Sequence, residues 1–277
     1  MKRLLFLLAL LVPLAFAQER VVSLNGDITE IVFGLGLENQ LAAVDVTSNY
    51  PAGANDLPNI GYHGALNAEA LLAYEPDLVI ASSAAGPAEV FTQLEAVGVR
   101  VAHLPEIAGI DTPVNNIRFV ADLLGAPEAG EALMAQVEDK IAHAAELAGQ
   151  LPEPPRILFL YLGSTQMQFA GGEGAASNAI INALGATDVG AEAGLRGFSP
   201  FGAELVVAGA PDVIIVTDRG LSAVGGMEGV LEVPGVAQTP AAQNGRIISF
   251  EDGYLINLGL RTGDALIELA EYLLEVQ

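Results

Sequence analysis

Glu69-Ala-Leu-Leu-Ala-Tyr-Glu-Pro76-Asp77-Leu-Val-Ile80 recurs, at a constant offset, as Glu204-Leu-Val-Val-Ala-Gly-Ala-Pro211-Asp212-Val-Ile-Ile215, with Glu, Ala, Pro and Asp in the same places. Each copy reads as a short amphipathic helix, a Pro-Asp turn and a β-branched strand buried on both faces. Proline forfeits the helical N–H and stops the helix, and an unbroken apolar run leaves no face for solvent. Helix, Pro-Asp turn and strand is also a common α/β phrase, so chance recurrence is the competing explanation. Taken as a duplication, the two copies predict two lobes of similar build.

Outward from each copy, strands alternate with helices. In the first half strands are predicted at Arg20–Leu24, Leu41–Asp45, Leu78–Ala81 and Val99–His103. A helix opened by Asp27, with Glu30 three residues on, has the form of a capping box. The second half adds strands at Arg156–Leu162, Val213–Thr217 and Arg246–Phe250, and a closing helix from Thr262. Such alternation implies parallel strands joined by crossover helices. Between the halves, Leu133, Val137, Ile141, Ala144 and Ala148 share one helical face, which predicts a single long connecting helix. The expected fold class is α/β: two similar Rossmann-like lobes with parallel sheets, joined by one long α-helix, with a ligand cleft between them. The expected divisions are 18–110, 111–151 for the helical connection, and 152–277.

Lys2 and Arg3, an apolar run from Leu4 to Phe16 and the small residues before Gln18 have the layout of a secretory signal peptide over residues 1–17. The apolar run is shorter than the ~20 residues of a spanning helix. With no cysteine there is no disulfide framework, no thiolate metal site and no lipidation point, so a soluble, exported, periplasmic protein without a membrane anchor is expected. Without Lys2 and Arg3, nine basic residues face 34 acidic ones, a net charge of −25. That surface repels nucleic acid and anionic membrane.

The sequence has no nucleophile elbow, no zincin helix and no phosphate-binding loop with its lysine, so no enzymatic activity is expected. The glycine-rich Ala170–Ala176 reads as a tight turn. His63, His103 and His143 are too scattered for a dedicated zinc cage. Gly61-Tyr62-His63-Gly64 stands out, because it sets a tyrosine in a glycine-flanked loop at the edge of a lobe. A phenolate suits ferric iron and is one of the axial ligands that proteins offer to haem; the plain alternative is an aromatic ring covering a neighbour. His63 is a second candidate haem contact. Adjacent side chains on extended backbone point opposite ways, so joint ligation of one iron by Tyr62 and His63 needs the loop to bend.

These residues resemble the haemin-binding periplasmic proteins of bacterial haem ABC importers, within a larger single-helix-linked group that also serves cobalamin and ferric siderophores. The resemblance runs over nearly the whole chain beyond residue 17. It is carried by Arg20-Val-Val-Ser-Leu-Asn-Gly26, Gly61-Tyr62, Leu66-Asn-Ala-Glu69, Ala84-Ala-Gly-Pro87, Thr217-Asp-Arg-Gly-Leu221 with Gly225-Gly226, and Gly259-Leu-Arg-Thr262. It implies haem as the transported ligand, Tyr62 as the axial ligand of its iron, and Arg219 of the opposite lobe as hydrogen-bond donor to the phenolate. A guanidinium there favours the ionised phenol.

The resemblance further implies that Glu69 and Glu204 dock a permease dimer with its cytoplasmic ATPase, one carboxylate per lobe; first-turn acids also complement a helix dipole. By elimination, Arg196 and Arg219, with Arg118 as a further candidate, are left as propionate partners. A monomer is expected. The chain departs from the family in having Gly64 where an arginine is frequent, and Asn257-Leu-Gly-Leu-Arg261 where many members read Gly-Phe-Gly-Pro-Arg. Cobalamin or a ferric siderophore in the same architecture is the alternative ligand, and a secreted α/β enzyme the alternative of another class.

Overall fold

The computed structural model describes residues 19–106 and 109–276; the expected signal peptide lies outside them. Strands β1 (Val21–Leu24), β2 (Leu41–Val44), β3 (Leu78–Ala81) and β4 (Arg100–His103) form one wholly parallel sheet, ordered β2-β1-β3-β4. The apolar runs Val21–Leu24 and Leu78–Ala81 are its two central strands and are buried along their whole length, as their lack of alternation requires.

The second sheet contains β5 (Arg156–Leu162), β6 (Gln168–Gly171), β7 (Thr187–Asp188), β8 (Phe198–Ser199), β9 (Val213–Thr217) and β10 (Ile247–Phe250). Its order is β10-β9-β5-β6-β8, with β7 also on β5. The sheet is mixed rather than wholly parallel as expected. Along one edge of β5, Arg156 and Ile157 pair in parallel with β7, while Leu160–Leu162 pair antiparallel with β6. A five-residue turn joins β5 to β6, and a connection that short permits only antiparallel pairing. Leaving β6 and β8 aside, β7-β5-β9-β10 repeats the order β2-β1-β3-β4.

The duplication extends to hydrogen bonds. Asp77 Oδ2 accepts the Arg20 backbone N–H at 2.9 Å, and Asp212 Oδ2 accepts that of Arg156 at 2.9 Å. Each arginine then donates through Nε to the chain just before the Pro-Asp turn, Arg20 to the Tyr74 carbonyl at 3.1 Å and Arg156 to the Gly209 carbonyl at 2.8 Å. The residue before each proline is left-handed in both copies, Glu75 with φ 48° and Ala210 with φ 42°. A non-glycine residue pays roughly 1–2 kcal/mol there, more than glycine loses in chain entropy. Ala210→Gly is therefore expected to stabilise the protein by about 0.5–1 kcal/mol, read as a rise in denaturation midpoint.

Helix Pro127–Ala148 touches both cores. Val137 belongs to the core of the first sheet, Ala144 and Ala148 belong to that of the second, and Ile141 packs against both. At 1.5 Å per residue its 22 residues make a rod of about 33 Å. Helices Thr112–Leu123 and Thr262–Glu275 flank it. A side chain at Gly130 would meet the Ala121 Cβ at 2.4 Å, and one at Gly263 the Lys140 Cβ at 2.4 Å, so the three helices lie close enough to form one stiff layer. The capping box does not form. The helix Gly26–Gly34 starts one residue earlier than expected, Asp27 Oδ1 accepts the Ile28 N–H, and Glu30 is spent on Arg261. No helix among the described residues is long and apolar enough to cross a membrane.

Candidate functional site

In both sheets the loops that leave the carboxyl ends of the parallel strands carry the chemistry, the usual place for a ligand in open α/β folds. The loop after β2 holds Tyr62. Its backbone is fixed by Val46 N–H to the Gly61 carbonyl at 2.9 Å, Ala65 N–H to the Tyr62 carbonyl at 3.0 Å and Gly86 N–H to the His63 carbonyl at 2.9 Å. Gly61 has φ 88°, a conformation that favours glycine, and it turns the chain so that the Tyr62 side chain is 56% exposed. The loop bends through a single 3-10 turn, His63–Ala65, so the two rings are neighbours, 4.6 Å apart and tilted by 44°.

His63, however, is buried, and its Nδ1 lies 2.6 Å from Asp45 Oδ2. Asp45 in turn accepts from the Thr47 and Ser48 hydroxyls at 2.9 Å. Of the two neighbours, Tyr62 alone is presented to solvent.

The opposite face is built by β5, β9 and β10. Arg219, in the first turn after β9, donates to the Tyr161 hydroxyl at 3.1 Å and pairs with Asp252 Oδ1 at 3.1 Å. Arg219 thus makes its guanidinium–phenol contact inside one lobe, with Tyr161 of the strand expected at Arg156–Leu162, where a contact with Tyr62 across the cleft was expected. Phe198 sits 5.9 Å from the Tyr161 ring and 5.8 Å from the Phe159 ring. Exposed apolar side chains occur on these loops, Val46, Tyr50 and Tyr62 after β2 and Met167 on the β5–β6 turn, and at Phe198 of β8.

The other expected site residues lie apart. Arg196 is exposed and paired with Glu173 at 2.9 Å on the glycine-rich turn, and Arg118 is exposed and donates to Asn115 at 3.3 Å. Glu69 and Glu204 are exposed in the first turns of helices Ala68–Leu72 and Ala203–Gly209, and neither is paired among the described residues. A hollow of about 340 Å³ lies elsewhere, lined by Ile110, Asn178 and Ala179 among others, and offers no donor suited to iron.

The two lobes meet at a part-buried cluster of residues far apart in the sequence, which no local signal announces. Arg261 donates from NH2 and Nε to Glu30 Oε1 at 2.6 and 3.1 Å and from NH1 to Glu251 Oε2 at 3.1 Å, with its guanidinium 3.9 Å from the Tyr50 ring centre. Asn49 reaches Glu251 at 3.5 Å from the other lobe. Burial pushes the Glu30 carboxyl up, and Arg261 pulls it part of the way back. Beside it Asp27, fully buried against Gly259, is raised to about 7, chiefly by burial.

The family model described as "Periplasmic binding protein" matches residues 21–253. Among solved structures, the periplasmic heme-binding protein RhuT from Roseiflexus sp. RS-1 is 45% identical with a TM-score of 0.91, over 94% of this chain and 99% of that one. The periplasmic heme-binding protein HutB of Vibrio cholerae is 30% identical with a TM-score of 0.83, over 93% of this chain and 99% of that one. A vitamin B12-binding protein of Vibrio cholerae serotype O1 is 24% identical over 269 residues, 97% of this chain and 94% of that protein.

Proposed function

The chain belongs to the periplasmic binding protein family, and from that premise we propose that it captures haem between its two lobes and hands it to an ABC importer. The observation that carries this is an exposed phenol, Tyr62, on a fixed loop at the carboxyl end of a parallel sheet, with exposed apolar side chains on that loop and on loops of the second sheet. A flat apolar macrocycle with a ferric centre needs that combination of a hard oxygen donor and apolar walls. The 45% identity with a heme-binding protein supports haem over cobalamin, since the B12-binding relative shares only 24%.

In this reading the protein is a binding protein and not an enzyme, works in the periplasm as a monomer after loss of residues 1–17, and uses 18–110 and 152–277 as lobes about the link 111–151. Arg219 and Arg196 supply positive charge to haem. Glu69 and Glu204, unpaired at matching positions of the repeat, offer one carboxylate per lobe to a two-fold permease and its ATPase.

A second reading of the iron donor is favoured by one contact. Tyr161, at the carboxyl end of β5, has the Arg219 guanidinium 3.1 Å from its hydroxyl, the guanidinium–phenol contact that was expected at Tyr62. Adding micromolar haemin to the purified protein is expected to give a high-spin ferric tyrosinate-type absorption spectrum. Tyr62→Phe should weaken binding about 100-fold, ~2.7 kcal/mol, and abolish that band. A band that survives Tyr62→Phe and disappears in Tyr161→Phe transfers the role to Tyr161, and no spectral change at all ends the haem reading.

A further inference from the structure

Tyr62 is held by the two residues that follow it in ways that the expected binding role does not itself require. On one side its ring leans on the His63 ring, 4.6 Å between centres. His63 cannot turn away, because Nδ1 is bonded at 2.6 Å to Asp45, whose side chain is fully buried and itself gripped by Thr47 and Ser48. The grip continues inward, from Ser48 to the Thr29 hydroxyl at 2.8 Å and from Thr29 to Ser23 of β1 at 2.7 Å. The platform beneath Tyr62 is therefore anchored to the central strand of the lobe.

On the other side is Gly64. A Cβ there would lie 2.7 Å from Tyr62 Cε1, closer than carbon atoms approach, and a tight 3.3 Å from Cδ1 and Cζ. The Tyr62 ring occupies the space that any side chain at position 64 would need. Gly64 is not in the left-handed region, so its backbone does not itself call for glycine. What demands the missing side chain is the ring.

We infer that His63 and Gly64 are positioning residues that together aim the Tyr62 phenol: the Asp45-anchored imidazole fixes the tilt of the ring, and the bare glycine lets it lie flat over the turn with its oxygen turned outward. His63 therefore contacts the donor and not the iron. This inference rests on Tyr62 being the iron donor. A loosely aimed donor has to be ordered when it binds, and a misplacement of about 1 Å costs affinity without touching the core.

The test uses His63→Asn, whose amide nitrogen can take the place of Nδ1 against Asp45 while the ring is lost, and Gly64→Ala, which adds only the obstructing methyl. Both ligand-free variants are expected to melt within about 2 °C of the unaltered protein. Both should bind haemin about tenfold more weakly and show a shifted tyrosinate charge-transfer band and iron–phenolate stretch. If both variants bind and absorb as the unaltered protein does, His63 and Gly64 only shape the loop and the inference is overturned. If the unaltered protein has no band that Tyr62→Phe removes, the Tyr62 reading itself fails, and this inference with it. Should His63→Asn fail to fold, Gly64→Ala decides alone, since it leaves the Asp45 bond intact.

Discussion

Arg261→Ala lowers the stability of the protein by about 3–5 kcal/mol, seen as a drop in the urea midpoint. The guanidinium is the only described cation hydrogen-bonded to Glu30, which is 3% exposed, and it also holds Glu251. Taking it away leaves an unpaired carboxylate in the joint between the lobes, and such an orphan costs far more than the pair as a whole contributes. The sign with pH follows. Burial already raises Glu30, and without Arg261 nothing opposes that rise, so the variant loses most stability at high pH, where Glu30 is ionised, and recovers part of that loss as falling pH protonates it. Combining Arg261→Ala with Glu30→Gln is expected to restore much of the deficit, because the double variant leaves no orphaned carboxylate at position 30. A deficit no smaller at pH 5 than at pH 8 would assign the loss to packing against Tyr50 and not to the orphaned acid.

The repeat made the architecture readable. Its prolines and apolar runs are local signals, and β3 and β9 occupy the residues the sequence reading assigned to them. What lay beyond the repeat was readable only where the signal was also local. β6 was missed because Gly171 and Gly172 look like a turn, and β8 because a strand of two residues leaves no period to detect. The 3-10 turn at His63 was invisible too, since one bent turn reverses the rule that neighbours on extended chain face apart, and so brought two rings together.

Sites assembled from distant residues were the least readable. Glu30 and Arg261 are 231 positions apart, and a single arginine has no pattern. Glu30 carried a misleading local explanation as well, as half of a capping box. Tyr161 was hidden for another reason. It lies in the run Arg156–Leu162, where composition says only that the strand is buried, while its hydroxyl reaches the strand's carboxyl end and meets Arg219. Tyr62 was legible because glycines surround it, and glycine around an aromatic ring is a local mark of backbone bent to present it.

Asp27→Asn should do the opposite of Arg261→Ala and strengthen the fold. Asp27 is buried at the joint, with Oδ1 accepting from Ile28 N–H and Asn25 Nδ2 at 2.8 Å, and Oδ2 facing Asn116 Nδ2 at 3.3 Å. Burial outweighs these donors, and the neighbouring Glu30 adds to it, so the carboxyl is raised to about 7 from 3.8. Between pH about 4 and about 7 the unfolded chain has released this proton while the folded protein still holds it. Each step up in pH within that window therefore costs stability, and above about pH 7 the loss is constant. At ~1.4 kcal/mol per pK unit the full penalty is about 4 kcal/mol.

Asparagine is neutral at every pH and removes that penalty. It also suits its neighbour, for Asn116 Oδ1 is a buried oxygen without a partner. With the Asn116 amide turned over, that oxygen accepts from the amide of the substituted side chain, as it would from a protonated Asp27. Asp27→Asn is expected to match the unaltered protein at pH 4 and to exceed it by about 2–4 kcal/mol at pH 8, read from urea midpoints at the two pH values. A gain of the same size at both pH values would mean that packing and not charge limits stability at the joint.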